Sequence, residues 1–377
     1  MKVIIITDAL TAPLYVPRVR FLNNQLRAEG HSVIWYTERY KEIPEEVRPD
    51  NLVEVPYYHK HDRLLKGVMS VLLNHKNRHI FDHINPPFRP DIVFCSTFHN
   101  FGLLAAERLA ERYKCALHID LRDIAEQTPI NAYSRAFLSD NFFYRRLSLK
   151  RRDEVLKRAN LVTTVSKFHR GVLSEINANT HVIYNGYDAE VFYPTERDKT
   201  CSDCTTLLYT GKWYGERMQN PHPLFKALSG HKEIKVVFYT SPDVHPRLRQ
   251  LADKYDINVE LHSYVANSEV PKLLRKADFS LVLTSPENRG VLTTKFFEAL
   301  GTETPILCTP SDEGELAELI NNTEAGIATS DSEEILEFLK RRGEFFISRG
   351  GAEPAEFYSR QRQTAELIKL MEQCCRY

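Results

Sequence analysis

Along the first half of the chain, apolar runs alternate with stretches that have helical spacing, as in a sheet that is covered by helices on both faces. Short apolar runs rich in β-branched residues are separated by longer stretches with helical spacing. The pattern predicts one clear helix over Val16–Ala28, which Gly30 stops, and strands at Lys2–Thr7, Ser32–Tyr36, Leu52–Val55, Asp91–Cys95, Ala116–Leu121, Leu161–Val165 and Val182–Tyr184. This alternation indicates a parallel sheet with helices on both sides.

A second series of strands begins after a polar stretch, Thr195–Thr206, which is charged, lacks periodicity and is typical of a linker. Strands are predicted at Leu207–Thr210, Lys235–Tyr239, Asn258–His262, Phe279–Leu283 and Pro305–Cys308, and a long helix at Pro354–Cys374. We therefore predict an α/β protein with two doubly wound domains, residues 1–194 and 195–353. Residues 354–377 are expected to form a helix that returns to the first domain. Ligands of such sheets bind beyond the carboxyl ends of the strands, so we expect a cleft between the two sets of strand ends.

Length, charge and cysteine usage narrow the class of protein. The 377 residues are too many for one core. Lys plus Arg and Asp plus Glu number 50 each, so the overall charge gives no case for nucleic acid. The N-terminus lacks the flanks of a signal peptide and no apolar run approaches the ~20 residues of a membrane span, so we expect a cytoplasmic protein. The seven Cys are scattered, Cys201 and Cys204 included, and are expected to be free thiols rather than zinc ligands.

The clearest chemical signal follows the strand at Phe279–Leu283. A short helix is predicted from about Thr294 to Leu300, with Thr294 as its N-cap, so its N-terminus lies just beyond the end of a strand, where free N–H groups favour a phosphate. Hydroxyl donors and a positive charge are added there by Thr293, Thr294 and Lys295. Glu298 lies one turn further on and is placed to accept both hydroxyls of a ribose. The pattern thus predicts a nucleotide-sugar site, and the alternative is an ordinary Lys–Glu surface pair.

The end of the strand at Leu207–Thr210 offers further cations. Gly211 lets backbone approach a ligand, while Lys212 and Arg217 are suited to grip a diphosphate, Lys as a point charge and Arg as a fork. The alternative is a turn that carries two surface cations.

Acidic residues follow a strand of the first domain. Asp120 lies near the end of the strand at Ala116–Leu121, and Arg122 and Asp123 follow it. A carboxylate at such a strand end can orient or deprotonate a hydroxyl. The alternative is a local Arg–Asp network that fixes the loop. Arg18 and Arg20 belong to the first β–α loop segment, which usually faces the cleft.

Two motifs are absent from the sequence. No G-x-G occurs, so a dinucleotide fingerprint is missing, and no D-x-D pair occurs. We therefore expect neither a nicotinamide cofactor nor a metal ion.

A basic and apolar stretch at Tyr57–His79 predicts one of two surfaces. It is either an amphipathic surface that rests on anionic lipid or a solvated face over an ordinary core stripe. A second basic cluster lies around Lys150 and offers the same two interpretations. The protein is therefore expected in the cytoplasm, with peripheral contact to the inner membrane face as one option.

Taken in order, several motifs resemble those of the family 4 glycosyltransferases, which have the two-domain GT-B fold. The resemblance extends over essentially the whole chain and rests on Arg27–Val33, Ala159–Ser166, Asn185–Asp188, Thr210–Lys212 and Lys295–Gly301. It implies a retaining enzyme that moves a sugar from a nucleotide-diphosphate donor to the hydroxyl of a glycan or lipid-linked glycan. Envelope or capsular polysaccharide synthesis is the setting that it implies.

The resemblance also assigns roles to residues. Lys212 matches the family's cation at the leaving diphosphate, with Arg217 assisting, and Glu298 matches the second glutamate of a paired-glutamate motif. The first glutamate of that pair falls at Gly290, so Glu287 or backbone N–H groups near Val291–Thr293 are expected to replace it. The acceptor-side polar positions of the family fall at Asp120, Arg122 and Asp123.

Two other functions remain open on the sequence alone. A sugar-nucleotide epimerase of the same fold would act on the donor without an acceptor. A non-catalytic sugar-binding protein of the periplasmic type would be expected to carry a signal peptide.

Overall fold

The computed structural model of the chain describes residues 1–7, 17–38, 48–55, 79–97, 100–124, 126, 142–195, 204–286, 290–342 and 354–376. The chain divides into two compact units, the first made of Met1–Tyr184 with Gln363–Tyr377 and the second of Asn185–Arg362. The sequence placed these divisions at 194/195 and 353/354.

Unit 1 is a parallel sheet of seven strands with helices on both faces. Its strands are β1 (Lys2–Thr7), β2 (Ser32–Glu38), β3 (Leu52–Val55), β4 (Ile92–Ser96), β5 (Ala116–Leu121), β6 (Leu161–Thr164) and β7 (Thr180–Val182), in the order β3-β2-β1-β4-β5-β6-β7. Its first four helices are α1 (Pro17–Ala28), α2 (Asn100–Tyr113), α3 (Phe142–Arg158) and α4 (Lys167–Ser174), with a 3₁₀ turn at Ile80–His83.

The two faces of this sheet bury separate cores. Ile4 and Ile6 of β1 pack into one core with α2, whereas Val3 and Ile5 pack into the other, which includes residues of α1. Because successive side chains of a strand point to opposite faces, a strand covered on both faces is apolar at successive positions, as Val3–Ile6 of β1 are.

The last strand of unit 1 lies two residues earlier than the sequence predicted. Residues 182–184 were expected to form it, but Thr180–Val182 pairs with β6. The carbonyls of Ile183 and Tyr184 instead accept hydrogen bonds from the Arg18 guanidinium, at 2.6 and 3.1 Å.

Unit 2 repeats the architecture with six parallel strands. They are β8 (Thr205–Thr210), β9 (Ile234–Tyr239), β10 (Asn258–His262), β11 (Phe279–Leu283), β12 (Ile306–Thr309) and β13 (Gly326–Ala328), in the order β10-β9-β8-β11-β12-β13. The helices are α5 (His222–Ala227), α6 (His245–Tyr255), α7 (Val270–Lys276), α8 (Thr294–Gly301), α9 (Glu315–Asn322) and α10 (Ser332–Lys340), with 3₁₀ turns at Pro242–Val244, Asn267–Glu269 and Ala355–Tyr358. The two sheets confirm the predicted doubly wound α/β architecture.

The C-terminal helix is broken where a single helix was predicted. A 3₁₀ turn ends at Tyr358, Ser359 is extended with φ −69° and ψ 145°, and α11 runs over Arg360–Cys375. Ser359 forms an isolated parallel bridge with Tyr187, which explains the break. Further along α11, Leu367, Ile368 and Met371 are buried in the β1 core of unit 1.

Several expectations about the surface stay predictions. The basic stretch lies at residues 57–78, outside the described residues, apart from His79 at its end. Within the described ranges, no helix combines the length and the apolar character needed to cross a bilayer. The six cysteines that the structure covers are free thiols, as expected, and Cys201 lies outside it.

Candidate active site

Helix α8 follows β11 after the connection 284–293, as predicted, although its N-cap differs by one residue. Thr293 is the N-cap, with extended dihedrals of φ −71° and ψ 143°, and its hydroxyl accepts from Lys295 N at a long 3.4 Å. The sequence had placed the cap at Thr294. With the cap at Thr293 a capping-box carboxylate belongs at Phe296. Glu298 therefore has no capping role, and its position needs another explanation.

At another helix start in unit 2, the N-terminal N–H groups are already hydrogen-bonded to a carboxylate. At α9 the buried Asp312 carboxylate accepts from Leu316 N and Ala317 N, at 3.1 and 3.0 Å. A carboxylate already occupies that position, where an anion would otherwise bind. The weak cap of α8 contrasts with it, and α8 is the better candidate for a phosphate.

Lys295 lies beside the glycine at the end of β8. Its Nζ is 4.8 Å from the centre of the Tyr209 ring, a cation–π distance. Gly211 has φ +102°, and a Cβ built on it would lie 3.4 Å from Lys295 Nζ. Burial lowers the pKa of Lys295 to about 8, and Glu298 opposes that shift. The fold thus joins the two predicted donor segments, which are distant in the sequence, around one partly dehydrated ammonium.

Glu298 is half-buried rather than part of a surface pair. Burial raises the pKa of its carboxyl group, while Lys295, Arg360 and a hydrogen bond from Thr294 act in the opposite direction. Arg360, at the start of α11, is only 8% exposed. Sequence reasoning missed it, because nothing in the local pattern at the start of the last helix connects that position to α8.

The loop after β8 fixes the backbone of Lys212 and leaves its side chain exposed. Tyr209 donates its hydroxyl to the Lys212 carbonyl at 2.8 Å, and Lys212 Nζ lies 4.8 Å over the Tyr214 ring. The buried Trp213 donates Nε1 to Gln219 O at 2.9 Å, which closes the loop. This places an exposed ammonium on a rigid backbone.

The same loop carries Arg217 and is tied to helix α6. Arg217 is exposed. Its neighbour Glu216 accepts from Arg247 Nε at 2.7 Å and lies 2.6 Å from His222 Nε2. His222 Nδ1 in turn lies 2.9 Å from the Tyr255 hydroxyl. These contacts tie the loop at Glu216 to helices α5 and α6.

Gly290 explains why the first family glutamate is missing. The residue is buried and has φ +69°, a left-handed conformation that glycine adopts readily and a glutamate rarely does. A glutamate at this position would need a different loop path. Glu287, the predicted substitute, lies outside the described residues.

In unit 1, Arg18 and Asp120 form a buried ion pair. Arg18 Nη2 donates to Asp120 Oδ1 at 2.8 Å, and the carboxylate also accepts from Thr163 at 2.7 Å and Ser96 at 3.0 Å. Asp120 is fully buried and Arg18 is 6% exposed. Because Thr163 gives its proton to Asp120, it accepts from His118 Nε2, 2.9 Å away. The geometry favours the network interpretation for Asp120 and Arg18 over contact with an acceptor.

Burial alone would raise the pKa of Asp120, but Arg18 and the hydroxyl of Thr163 hold it below its ordinary value. Burial also lowers the pKa of His118 to about 3, so this imidazole is neutral. The Asp120 carboxylate is therefore a permanent anion that is already fully paired.

Asp123 remains the better candidate for contact with an acceptor. It lies two residues beyond the end of β5, is half-buried, and burial raises the pKa of its carboxyl group against the opposing charge of Arg122. A carboxyl group with a raised pKa at a strand end suits proton transfer. Arg122 and Arg20 are half-buried as well, and their roles stay predictions.

The described part of the chain contains no cluster of side chains suited to bind a metal ion. No group of three or more His, Cys, Asp or Glu residues is placed there to hold a cation. Metal independence stays a prediction.

Comparison with solved structures shows the fold. A sucrose-phosphate synthase from Thermosynechococcus elongatus superposes with a TM-score of 0.72 at 14% identity, covering 99% of each chain. The apo lipopolysaccharide outer core galactosyltransferase WaaB gives 0.67 at 14%, again over 99% of each chain. Anabaena HepE in complex with UDP and glucose gives 0.65 at 14%, over 99% of this chain and 100% of that one. These are glycosyltransferases with the GT-B fold.

Family comparisons agree with the structural ones. Residues 18–191 match the family described as Glycosyltransferase Family 4, and residues 219–344 match the one described as Glycosyl transferase-like. Curated protein sequences give no significant match. On these matches and this fold, the chain belongs to the family 4 glycosyltransferases.

Proposed function

We propose that the chain transfers a sugar from a nucleoside-diphosphate donor to an acceptor hydroxyl, with retention of the anomeric configuration. The observation that carries the donor half is the cluster at the start of α8. There a weakly capped helix N-terminus, the Lys295 ammonium and the Glu298 carboxylate lie within one turn, next to Gly211. The HepE structures contain UDP, glucose or UDP-glucose, which supports the same ligand class for this chain.

The residues divide the work of binding and catalysis. Lys295 and the N–H groups of α8 attract the diphosphate, and Glu298 accepts the ribose hydroxyls. Lys212 and Arg217 meet the charge that develops on the departing diphosphate, which is the largest electrostatic contribution expected. Thr293 and Thr294 add hydroxyl donors at the helix start. Exclusion of water from the donor favours transfer over hydrolysis.

The acceptor half rests on Asp123 and Arg122. The ionised Asp123 carboxylate, whose raised pKa makes it a stronger base, takes up the proton of the attacking hydroxyl. The oxygen attacks the anomeric carbon from the face that the diphosphate leaves, and the bond from that carbon to the diphosphate breaks, so the configuration is retained. An acceptor glycan or lipid-linked glycan of the cell envelope is proposed from the sequence resemblance, and the structural likeness to WaaB supports that class. The proposed location is the cytoplasm, with the inner membrane face as the site of peripheral contact.

A thermal-shift screen of nucleoside diphosphates and their sugars tests the donor proposal. A ligand bound only by the native state raises Tm, by an amount that grows with concentration above its Kd. UDP, ADP and GDP are compared with inorganic pyrophosphate, which lacks the ribose. A Tm that none of the three nucleotides raises would reject the proposal.

Glu298→Ala is expected to weaken binding of the nucleoside diphosphate by roughly 10- to 100-fold, because a charged acceptor of two hydroxyl hydrogen bonds is lost. Isothermal titration calorimetry measures the change. Glu337→Ala, at an exposed position on α10, is the matched control and should leave the affinity unchanged. Equal affinities in the Glu298 variant and the control would remove Glu298 from the site.

Product analysis tests retention of configuration, metal independence and sugar transfer. NMR of the purified product should show the donor's anomeric configuration, and activity should persist in EDTA if the charge is met by lysine and arginine alone. Incubation of donor without acceptor separates transfer from epimerisation. A new sugar nucleotide in that mixture would favour the epimerase alternative.

A further inference from the structure

Tyr209 contacts both of the segments that carry the lysines proposed to meet the diphosphate. It is the fifth residue of β8 and is fully buried, and its ring lies 5.2 Å from the Phe238 ring of β9, centre to centre. Lys295 Nζ lies 4.8 Å from the centre of the same ring. The Tyr209 hydroxyl donates to the Lys212 carbonyl at 2.8 Å. One side chain therefore contacts α8 through its ring face and the loop after β8 through its hydroxyl.

The hydroxyl of Tyr209 is a lasting donor to that carbonyl. Burial, together with the nearby phenols of Tyr214 and Tyr264, raises the pKa of Tyr209 well above its ordinary value, so the hydroxyl keeps its proton. A carbonyl oxygen can only accept. The hydrogen bond therefore holds the main chain at Lys212 next to the end of β8 at neutral pH and below.

The ring face of Tyr209 suits an ammonium that has lost part of its hydration. A cation over the face of an aromatic ring is attracted electrostatically, and the attraction grows as water is removed. Burial lowers the pKa of Lys295 to about 8, and Glu298 on the same helix acts in the opposite direction. Gly211 leaves room for the ammonium, because a Cβ there would lie 3.4 Å from Lys295 Nζ. The ring thus holds the ammonium at the strand end, where the diphosphate is proposed to bind.

We propose that Tyr209 is a positioning residue for the reaction: its ring holds the Lys295 ammonium and its hydroxyl holds the main chain at Lys212, so that both cations meet the same diphosphate. This inference rests on the proposed function, which assigns the two lysines to the donor. It makes a buried residue of β8 the link between two segments that are distant in the sequence.

Two substitutions separate the ring from the hydroxyl. Tyr209→Phe keeps the ring and removes the hydroxyl, whereas Tyr209→Met removes both and still fills the core. Calorimetry measures UDP binding, and a coupled assay with saturating UDP-glucose measures turnover. Tyr209→Phe should slow turnover about 10-fold and weaken UDP less than about 2-fold, because it disturbs Lys212 alone. Tyr209→Met should also weaken UDP about 10-fold, since the Lys295 ammonium loses its ring.

Tyr187→Phe is the matched control for loss of the hydroxyl. Tyr187 is also buried in unit 2, and its hydroxyl donates to a main-chain carbonyl, that of Ala355, at 3.3 Å. This substitution should leave both turnover and UDP affinity unchanged. If the thermal-shift screen selects ADP or GDP instead of UDP, that nucleotide and its glucose derivative are the probes for all variants.

Double substitutions separate positioning from a general loss of packing. In a Lys212→Ala background, Tyr209→Phe should slow turnover no further, because the cation that it positions is already gone. In a Lys295→Met background, Tyr209→Met should likewise weaken UDP no further.

An NMR signature tests the ring contact in the unaltered protein. Reductive methylation with carbon-13 formaldehyde labels the lysine side chains, and Lys295→Met assigns the Lys295 signal. A methyl group over the face of an aromatic ring resonates upfield of one in solvent. The Lys295 signal should therefore be displaced upfield, keep that displacement in Tyr209→Phe and lose it in Tyr209→Met.

Each half of the inference can fail separately. Normal turnover in Tyr209→Phe would show that the hydroxyl does not position Lys212. An undisplaced Lys295 signal, or equal UDP affinities in Tyr209→Phe and Tyr209→Met, would show that the ring does not hold the ammonium. Further losses in the double substitutions would show a general disturbance of the site. A protein that binds none of UDP, ADP and GDP would reject the proposed function itself, whereas normal binding and turnover in both Tyr209 variants would reject this inference alone.

Discussion

Arg18→Met is expected to destabilise unit 1 by about 3–5 kcal/mol, because it leaves the Asp120 carboxylate buried without its countercharge. Arg18 bridges that carboxylate and the carbonyls of Ile183 and Tyr184, so its loss also leaves backbone acceptors unpaired. Urea unfolding measures the change. The chain has two Trp, and Trp35 is buried in unit 1, so its fluorescence reports that unit in a Trp213→Phe background.

The difference in unfolding free energy between Arg18→Met and the unaltered protein should shrink as the pH is lowered. In the unaltered protein the pKa of Asp120 is held below its unfolded value, so the carboxylate contributes stability above that unfolded value and loses it as pH falls through the folded one. In Arg18→Met the main opposing charge is gone, although Thr163 and Ser96 still donate, so the pKa of Asp120 rises and stability is lost as pH rises through it. The two proteins should therefore converge in stability as the pH falls toward the folded pKa of Asp120.

A second arginine on the same helix supplies the control. Arg27 pairs with Asp50 at 2.5 Å, but the two side chains are 41% and 73% exposed. Arg27→Met should cost about 0–1 kcal/mol, as surface pairs usually do. If Arg18→Met were no more destabilising than Arg27→Met and lost transferase activity while folded, the acceptor-side role predicted from the sequence would stand and the network role would not.

Lys212→Ala is expected to lower kcat by roughly 100-fold or more, because a cation that meets developing charge acts mainly in the transition state. Its ammonium is exposed over the Tyr214 ring, while the backbone is fixed by Tyr209 and the Trp213–Gln219 contact. The substitution should therefore leave Tm close to that of the unaltered protein. Steady-state kinetics with saturating donor measures the effect, and donor affinity should change much less than kcat.

Lys254→Ala is the matched control for Lys212. Lys254 is also exposed and its Nζ lies 5.1 Å over the ring of the neighbouring Tyr255, in the same unit. Both substitutions remove one charge and one cation–π contact, so only a role at the diphosphate distinguishes them. A similar kcat for the two variants would contradict the assignment of Lys212.

Strand positions followed from apolar runs where those runs were long and doubly buried. β1 and β11 have the predicted bounds, since polar residues or turns flank a mainly apolar segment, and β5 has them too although it includes the buried His118 and Asp120. The last strand of each sheet was misplaced or missed, β7 by two residues and β13 entirely, whereas the opposite edge strands β3 and β10 have the predicted bounds. At β13 the determining contact is backbone packing, because a Cβ on Gly326 would collide with the Ile306 carbonyl.

The donor site was predictable where it is local. A helix that starts beyond a strand end, with Lys295 and Glu298 one turn apart, is visible in a single stretch of sequence. The exact cap was not, because Thr293 and Thr294 are chemically equivalent and only the backbone dihedrals select between them. Nor was the ring beneath Lys295, since Tyr209 lies on a different strand.

The sequence by itself determined the two alternating α/β halves, the start of α8 and the types of side chain at each strand end, since these depend on the spacing of neighbouring residues. Only the tertiary structure decided which charges face each other. It paired Asp120 with Arg18 in a buried network, left Asp123 as the acceptor-side carboxyl group with a raised pKa, and placed Lys295 over the Tyr209 ring. The reason is that electrostatic partners and burial depend on distances through space, which the strand order sets and the spacing along the chain does not contain.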